Sequence, residues 1–145
     1  MDIFKTHTIA EDAKRRIITT IKDELENCSE IIFAYIFGSF IDTDMPFFRD
    51  VDIGIYVTEN IVPQKRFIDY SINLSLKLES LLKRFSVDVV VLNNAPLSLA
   101  FRITQGVLLF TKNDALWSDF AAKTWSLYND HAISSRGLLA EILKP

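Results

Sequence analysis

The sequence predicts an α/β domain with one mixed sheet, helices on one face and an open, carboxylate-bearing opposite face. Three observations carry this. Ile31 to Phe37 is a short, bulky, partly β-branched apolar run, as a buried strand requires. Asp50 to Val57 alternates polar with apolar, the period of a strand with two unlike faces. Around these runs, amphipathic segments of helical period give the order helix, strand, loop, strand, helix, strand, helix, strand, helix. With 145 residues, the chain is read as one domain with a core from about 8 to 112 and a C-terminal helical segment over 115–145.

The first helix spans about 9–27. Thr8-Ile9-Ala10-Glu11 has capping-box spacing, and Ile9, Ala13, Ile17, Ile21, Leu25 and Cys28 recur on one face. Lys14-Arg15-Arg16 reads as a solvated face. After the strand at 31–37 comes the small pair Gly38-Ser39, where backbone can approach a ligand closely and a short helix can begin. A polar loop from Phe40 to Arg49 leads into Asp50-Val51-Asp52.

On that second strand Asp50, Asp52, Gly54 and Tyr56 share one face, while Val51, Ile53, Ile55 and Val57 share the other. The two carboxylates stand roughly 6–7 Å apart at Cα, where like charges repel unless a proton or cation neutralises them. A divalent metal is the economical reading.

Pro63 stands near a helix start, and Phe67, Tyr70, Leu74, Leu78, Leu81 and Phe85 mark a helix over about 64–84. It and the 9–27 helix are expected to cover the apolar sheet face. Ser86 to Leu92 reads as a strand in which Asp88 is alone among valines, a costly place for a carboxylate without a partner. Pro96 opens a further helix that Gly106 caps; Val107 to Phe110 is a short strand. Ala115 to about Tyr128 is helical, and Ser134-Ser135-Arg136-Gly137 is a weak break.

Composition excludes several classes. The net charge of −3 with scattered Lys and Arg argues against a broad nucleic-acid surface. No apolar stretch approaches the ~20 residues of a membrane span, and no export signal is visible, so the cytoplasm is the expected compartment. The lone Cys28 makes neither an internal disulfide nor a zinc site. His7 and His131 read as surface or packing residues, and Trp117, Phe120, Trp125 and Tyr128 as mostly core. Arg102 could reach a phosphate or form a helix-surface salt bridge.

If the strands bearing Asp52 and Asp88 are neighbours, three acids can meet on one surface beside the Gly38-Ser39 turn. Mg²⁺ takes oxygen ligands and leaves places for phosphates, and backbone amides at such a turn suit an anion. Metal plus phosphate cradle is the equipment of phosphoryl or nucleotidyl transfer. By chance alone, Gly-Ser followed at one fixed distance by Asp-x-Asp arises in such a chain roughly once in several hundred.

Gly38-Ser39, ten residues, then Asp50-Val51-Asp52 resembles the signature of the polymerase-β-like nucleotidyltransferase superfamily, closest to its minimal nucleotidyltransferases. Val87 to Leu97, Phe101-Arg102-Ile103 and Gly106 to Phe110 resemble MntA-type antitoxins of HEPN–MNT toxin–antitoxin pairs. The resemblance covers about Ile31 to Phe110. It implies that Gly38 and Ser39 hold the triphosphate of ATP. Asp50 and Asp52 would bind Mg²⁺, as two ions, with Asp88 completing the site and able to activate the attacking hydroxyl.

The implied reaction passes AMP to a tyrosine of a partner HEPN ribonuclease toxin and silences it. Homo-oligomerisation stays open. Two departures stand out: Ile41-Asp42-Thr43 where many relatives carry Ala-Arg-Gly, and Arg49 where many carry Ser. Arg49 is a candidate to replace the missing guanidinium at the nucleotide. Two alternatives remain: a catalytically weak antitoxin that neutralises its partner by binding, and a nucleotidyltransferase acting on a small molecule.

Overall fold

The computed structural model describes residues 10–42 and 50–142, those from 132 onward by backbone only. Helix α1 runs Glu11–Glu26, strand β1 Ile31–Phe37, strand β2 Asp50–Val57, helix α2 Phe67–Leu82 and strand β3 Ser86–Val91. Helix α3 follows at Leu97–Thr104, strand β4 at Val107–Thr111 and helix α4 at Asp114–Ile142. Short 3-10 turns at Gln64–Arg66 and Leu92–Asn94 flank α2 and α3.

The strands form one sheet in the order β3-β2-β1-β4. β1 is antiparallel to both β2 and β4, whereas β2 and β3 are parallel. The sheet is therefore mixed, as the alternation of elements predicts. Its apolar face carries Ile53, Ile55, Val57, Val87 and Val89, buried with Ile21 and Leu25 of α1 and Leu74 and Leu78 of α2. Lys77 Nζ reaches Glu24 Oε1 at 2.7 Å and ties the two helices. Tyr70 donates to Glu30 Oε1 at 2.6 Å, anchoring α2 to the approach of β1.

The opposite face is less open than expected. Phe33, Tyr35 and Phe37 of β1 lie buried there with Leu92 and Ile103, and Leu116, Trp117 and Phe120 of α4 pack against them. Trp117 Nε1 donates to Tyr35 Oη at 2.6 Å, and Phe33 stacks on Tyr56 at 4.8 Å. The amphipathic patterns of α3 and α4 show that each buries a stripe, but not against which face. They cover the middle of this face and leave the end carrying the acidic residues exposed.

Several boundaries shift for physical reasons. The N-cap of α1 is Ala10, with no side-chain cap; Thr8, the expected cap, lies outside the described residues, as does His7. After Gly38 the chain makes a turn closed by Ile41 N–H to Gly38 O at 3.3 Å, not a helix, within the described residues. β3 stops at Val91 because Asn93 takes over the ladder: its side chain accepts from Val57 N–H at 2.9 Å and donates to Val57 O at 2.8 Å. The expected break at Ser134 to Gly137 is absent, and α4 continues through it. A single helical Gly costs only about 1 kcal/mol relative to Ala, too little to end a helix.

Gly106 does not provide a left-handed cap; Gly38 is the glycine with positive φ among the described residues. A Cβ on Gly106 would instead collide with the Ile36 carbonyl oxygen and stand 2.8 Å from Phe37 Cβ. Its smallness lets the α3–β4 connection lie against β1.

Candidate active site

β1 delivers its last residue, Phe37, opposite Asp52 in the ladder. The next residue, Gly38, has φ +83°, a conformation that L side chains rarely adopt. A Cβ there would also strike Asp52 Oδ2. The Gly38-Ser39 turn is thus in immediate contact with the carboxylate at the centre of the sheet end, and Ser39 beside it is half-buried.

On its other side Asp52 pairs with Asp88 in the parallel ladder, and Asp50 pairs with Ser86. Paired residues present their side chains to the same face, so Asp50, Asp52 and Asp88 share it. The structure brings Gly38, Asp52 and Asp88 to one place, with Asp50 two residues along. Asp88 differs from expectation in one respect. It is exposed, because β3 is an edge strand whose valines alternate inward around it, so it carries no burial cost. Arg49 lies outside the described residues, as do Thr43 to Phe48.

Asp52 is half-buried, and its carboxyl is pushed up to about 6 by burial first and then by the Asp50 and Asp88 charges, against an opposing pull from Arg102. Such crowding of like charges is what a cation relieves. The donors, all carboxylate oxygens, match the chemistry of Mg²⁺. Among the described residues no three His, Cys, Asp or Glu side chains are already gathered as a metal cage. The fit therefore lies in donor type and shared face.

Two residues that hold the site together escaped the sequence reading. Gly54 lies on the acidic face, and a Cβ there would come 2.7 Å from Ile103 Cγ2. Gly54 thus seats α3 on β2, and the available signal was a glycine in mid-strand, which marks close approach. Asn93, which closes the end of β2, gave no signal. Arg102, for which two readings were open, makes no ion pair with a described carboxylate; its guanidinium stands 5.8 Å from the Phe37 ring centre. Trp125 and His131 are exposed, and Trp125 packs edge-on to Phe101 at 5.1 Å. Burial pushes the Cys28 thiol up, away from nucleophilic use.

No helix among the described residues is long and apolar enough to cross a membrane. No curated protein sequence matches the chain. Several solved structures are similar. A tri-AMPylated Shewanella oneidensis HEPN toxin in complex with an MNT antitoxin contains a chain that matches with a TM-score of 0.62 and 24% identity, over 90% of this chain and 99% of that one. The toxin–antitoxin pair MntA–HepT matches with a TM-score of 0.57 and 24% identity, over 93% and 100%. A toxin–antitoxin structure with AMP-PNP gives a TM-score of 0.58 and 23% identity, over 93% and 100%. At these identities the similarity speaks for the fold. The family model for polymerase beta nucleotidyltransferases matches residues 19–115, from within α1 to the start of α4. The chain belongs to the polymerase beta nucleotidyltransferase family.

Proposed function

We propose that the chain transfers AMP from ATP to a tyrosine hydroxyl of a cognate HEPN ribonuclease toxin, and so acts as its antitoxin. The observation that carries this is the register pair Asp52–Asp88 beside the left-handed Gly38 turn. Two comparisons support the choice of nucleotide and partner. A similar fold was solved with AMP-PNP, and another in complex with an AMP-bearing HEPN toxin.

In this reading the Gly38-Ser39 turn receives the triphosphate through backbone amides, with the Ser39 hydroxyl as a further donor. Asp50, Asp52 and Asp88 would hold Mg²⁺, which when bound neutralises the phosphates and lowers the charge repulsion on the face. The tyrosine oxygen attacks the α-phosphorus, the bond from that phosphorus to the bridging oxygen breaks, and pyrophosphate leaves. Asp88, exposed as Asp50 also is, takes the phenolic proton. Arg49 is assigned to the nucleotide on sequence grounds alone.

A second reading, neutralisation by binding with weak catalysis, is favoured by the departures Ile41-Asp42-Thr43 and Arg49 from the pattern of many relatives. The experiment that separates the two supplies ATP labelled at the α-phosphate, Mg²⁺ and the HEPN partner. Label on the partner and stoichiometric pyrophosphate are expected. Normal neutralisation by a folded Asp50→Asn/Asp52→Asn variant would favour occlusion instead.

A further inference from the structure

Helix α3 is fixed against the acidic end of the sheet at two points. Ile103 seats on Gly54, where a Cβ would come within 2.7 Å of its Cγ2, and Gly106 backs onto Ile36 and Phe37 of β1. Arg102, the neighbour of Ile103, is therefore held in place by packing it does not itself make. Its side chain is exposed, and its guanidinium sits 5.8 Å from the centre of the buried Phe37 ring. Phe37 pairs with Asp52 in the ladder and immediately precedes Gly38. Arg102 consequently borders the same patch as the Gly38-Ser39 turn and Asp52. Its pull on the Asp52 carboxyl agrees with that placement.

A face with three carboxylates repels a polyphosphate, and Mg²⁺ shared among them neutralises only part of the combined charge. A guanidinium at its rim, already desolvated on one side by an aromatic ring, is suited to grip phosphate oxygens bidentately. We infer that Arg102 is a substrate-binding residue whose guanidinium engages the β,γ-phosphate end of the nucleotide, the portion that leaves as pyrophosphate. This rests on the nucleotidyl-transfer reading above. An arginine that served only to balance the carboxylates, or to cover Phe37 with its stem, would act on the nucleotide-free chain and not discriminate among nucleotides.

The test compares binding of ATP and of AMP, each with Mg²⁺, to the full-length wild type and to Arg102→Ala, Arg102→Gln and Arg102→Lys. The neutral variants are expected to weaken ATP about tenfold to a hundredfold, the range of a charged hydrogen bond, and to leave AMP unchanged. Arg102→Lys should fall between them and the wild type, since it keeps the charge and loses the fork. Wild-type ATP affinity in both neutral variants, or equal losses of ATP and AMP, would overturn the assignment. Failure of the wild-type chain to bind ATP would remove the nucleotide reading itself, and Arg102's role with it.

Discussion

Gly38 lies in the turn after β1 and Asp52 in β2, yet the backbone of the first occupies space that no side chain could share with the carboxylate of the second. Gly38 has φ +83°, and a Cβ on it would meet Asp52 Oδ2. The turn and the acid are thereby one unit: whatever fixes the turn also fixes where a nucleotide would lie relative to the carboxylate.

Gly38→Ala should be costly on both counts. A left-handed non-glycine residue is disfavoured by about 1–3 kcal/mol, and here Asp52 must also move. Denaturant unfolding should show a loss in that range. AMP transfer, measured well below the unfolding transition, should fall more steeply than the folded fraction.

Asp52 gives the chain a distinct pH profile when divalent ions are chelated. Folded, its carboxyl releases its proton near 6; unfolded, it does so near its ordinary 3.8. Between those values the folded state binds more protons, so stability declines as pH rises through the window. Asp52→Asn should remove that decline and raise the melting temperature at neutral pH, the two proteins converging below pH about 4. Thermal melts in a chelating buffer across this range measure it. The same substitution should abolish transfer.

Gly54 and Ile103 form the contact that seats α3. Gly54→Ala overpacks it and should destabilise the fold by about 1–3 kcal/mol. Ile103→Ala removes Cγ2, the atom that a Cβ on residue 54 would strike. The double variant should be more stable than the sum of the single effects, a coupling that a double-mutant cycle reads directly.

Trp117 and Tyr35 bind α4 to β1 through the 2.6 Å hydrogen bond. Tyr35→Phe leaves the indole N–H of a half-buried residue without its acceptor. A loss of about 1 kcal/mol in unfolding free energy is expected, with little change in transfer, since the bond lies away from the acidic end.

Much of the fold was legible because local chemistry set it. β1 and β2 run from Ile31 to Phe37 and from Asp50 to Val57, as the apolar run and the alternation predict. The apolar stripes of α1 and α2 identified the layer over the apolar face. Topology was less legible. Asp88 looks costly in a valine strand only if that strand is central; as an edge residue it is solvated. The cover that α3 and α4 give Tyr35 and Tyr56 likewise depends on which face they choose. Gly106 shows the same limit, since a glycine kept for close approach and one kept for a left-handed cap look alike in sequence. At the site, the spacing from Gly38 to Asp52 was visible because a turn and a neighbouring strand are short-range partners, whereas the position of Arg102 depends on tertiary packing of α3.

The most direct measurement is the intact mass of the proposed HEPN partner after incubation with this chain, ATP and Mg²⁺. An AMP-sized increment is expected with the wild type, none with Asp52→Asn, and none on a partner whose acceptor tyrosine is replaced by phenylalanine. A partner that stays unmodified under both Mg²⁺ and Mn²⁺, while the wild-type chain still neutralises it, would contradict transfer as the basis of function.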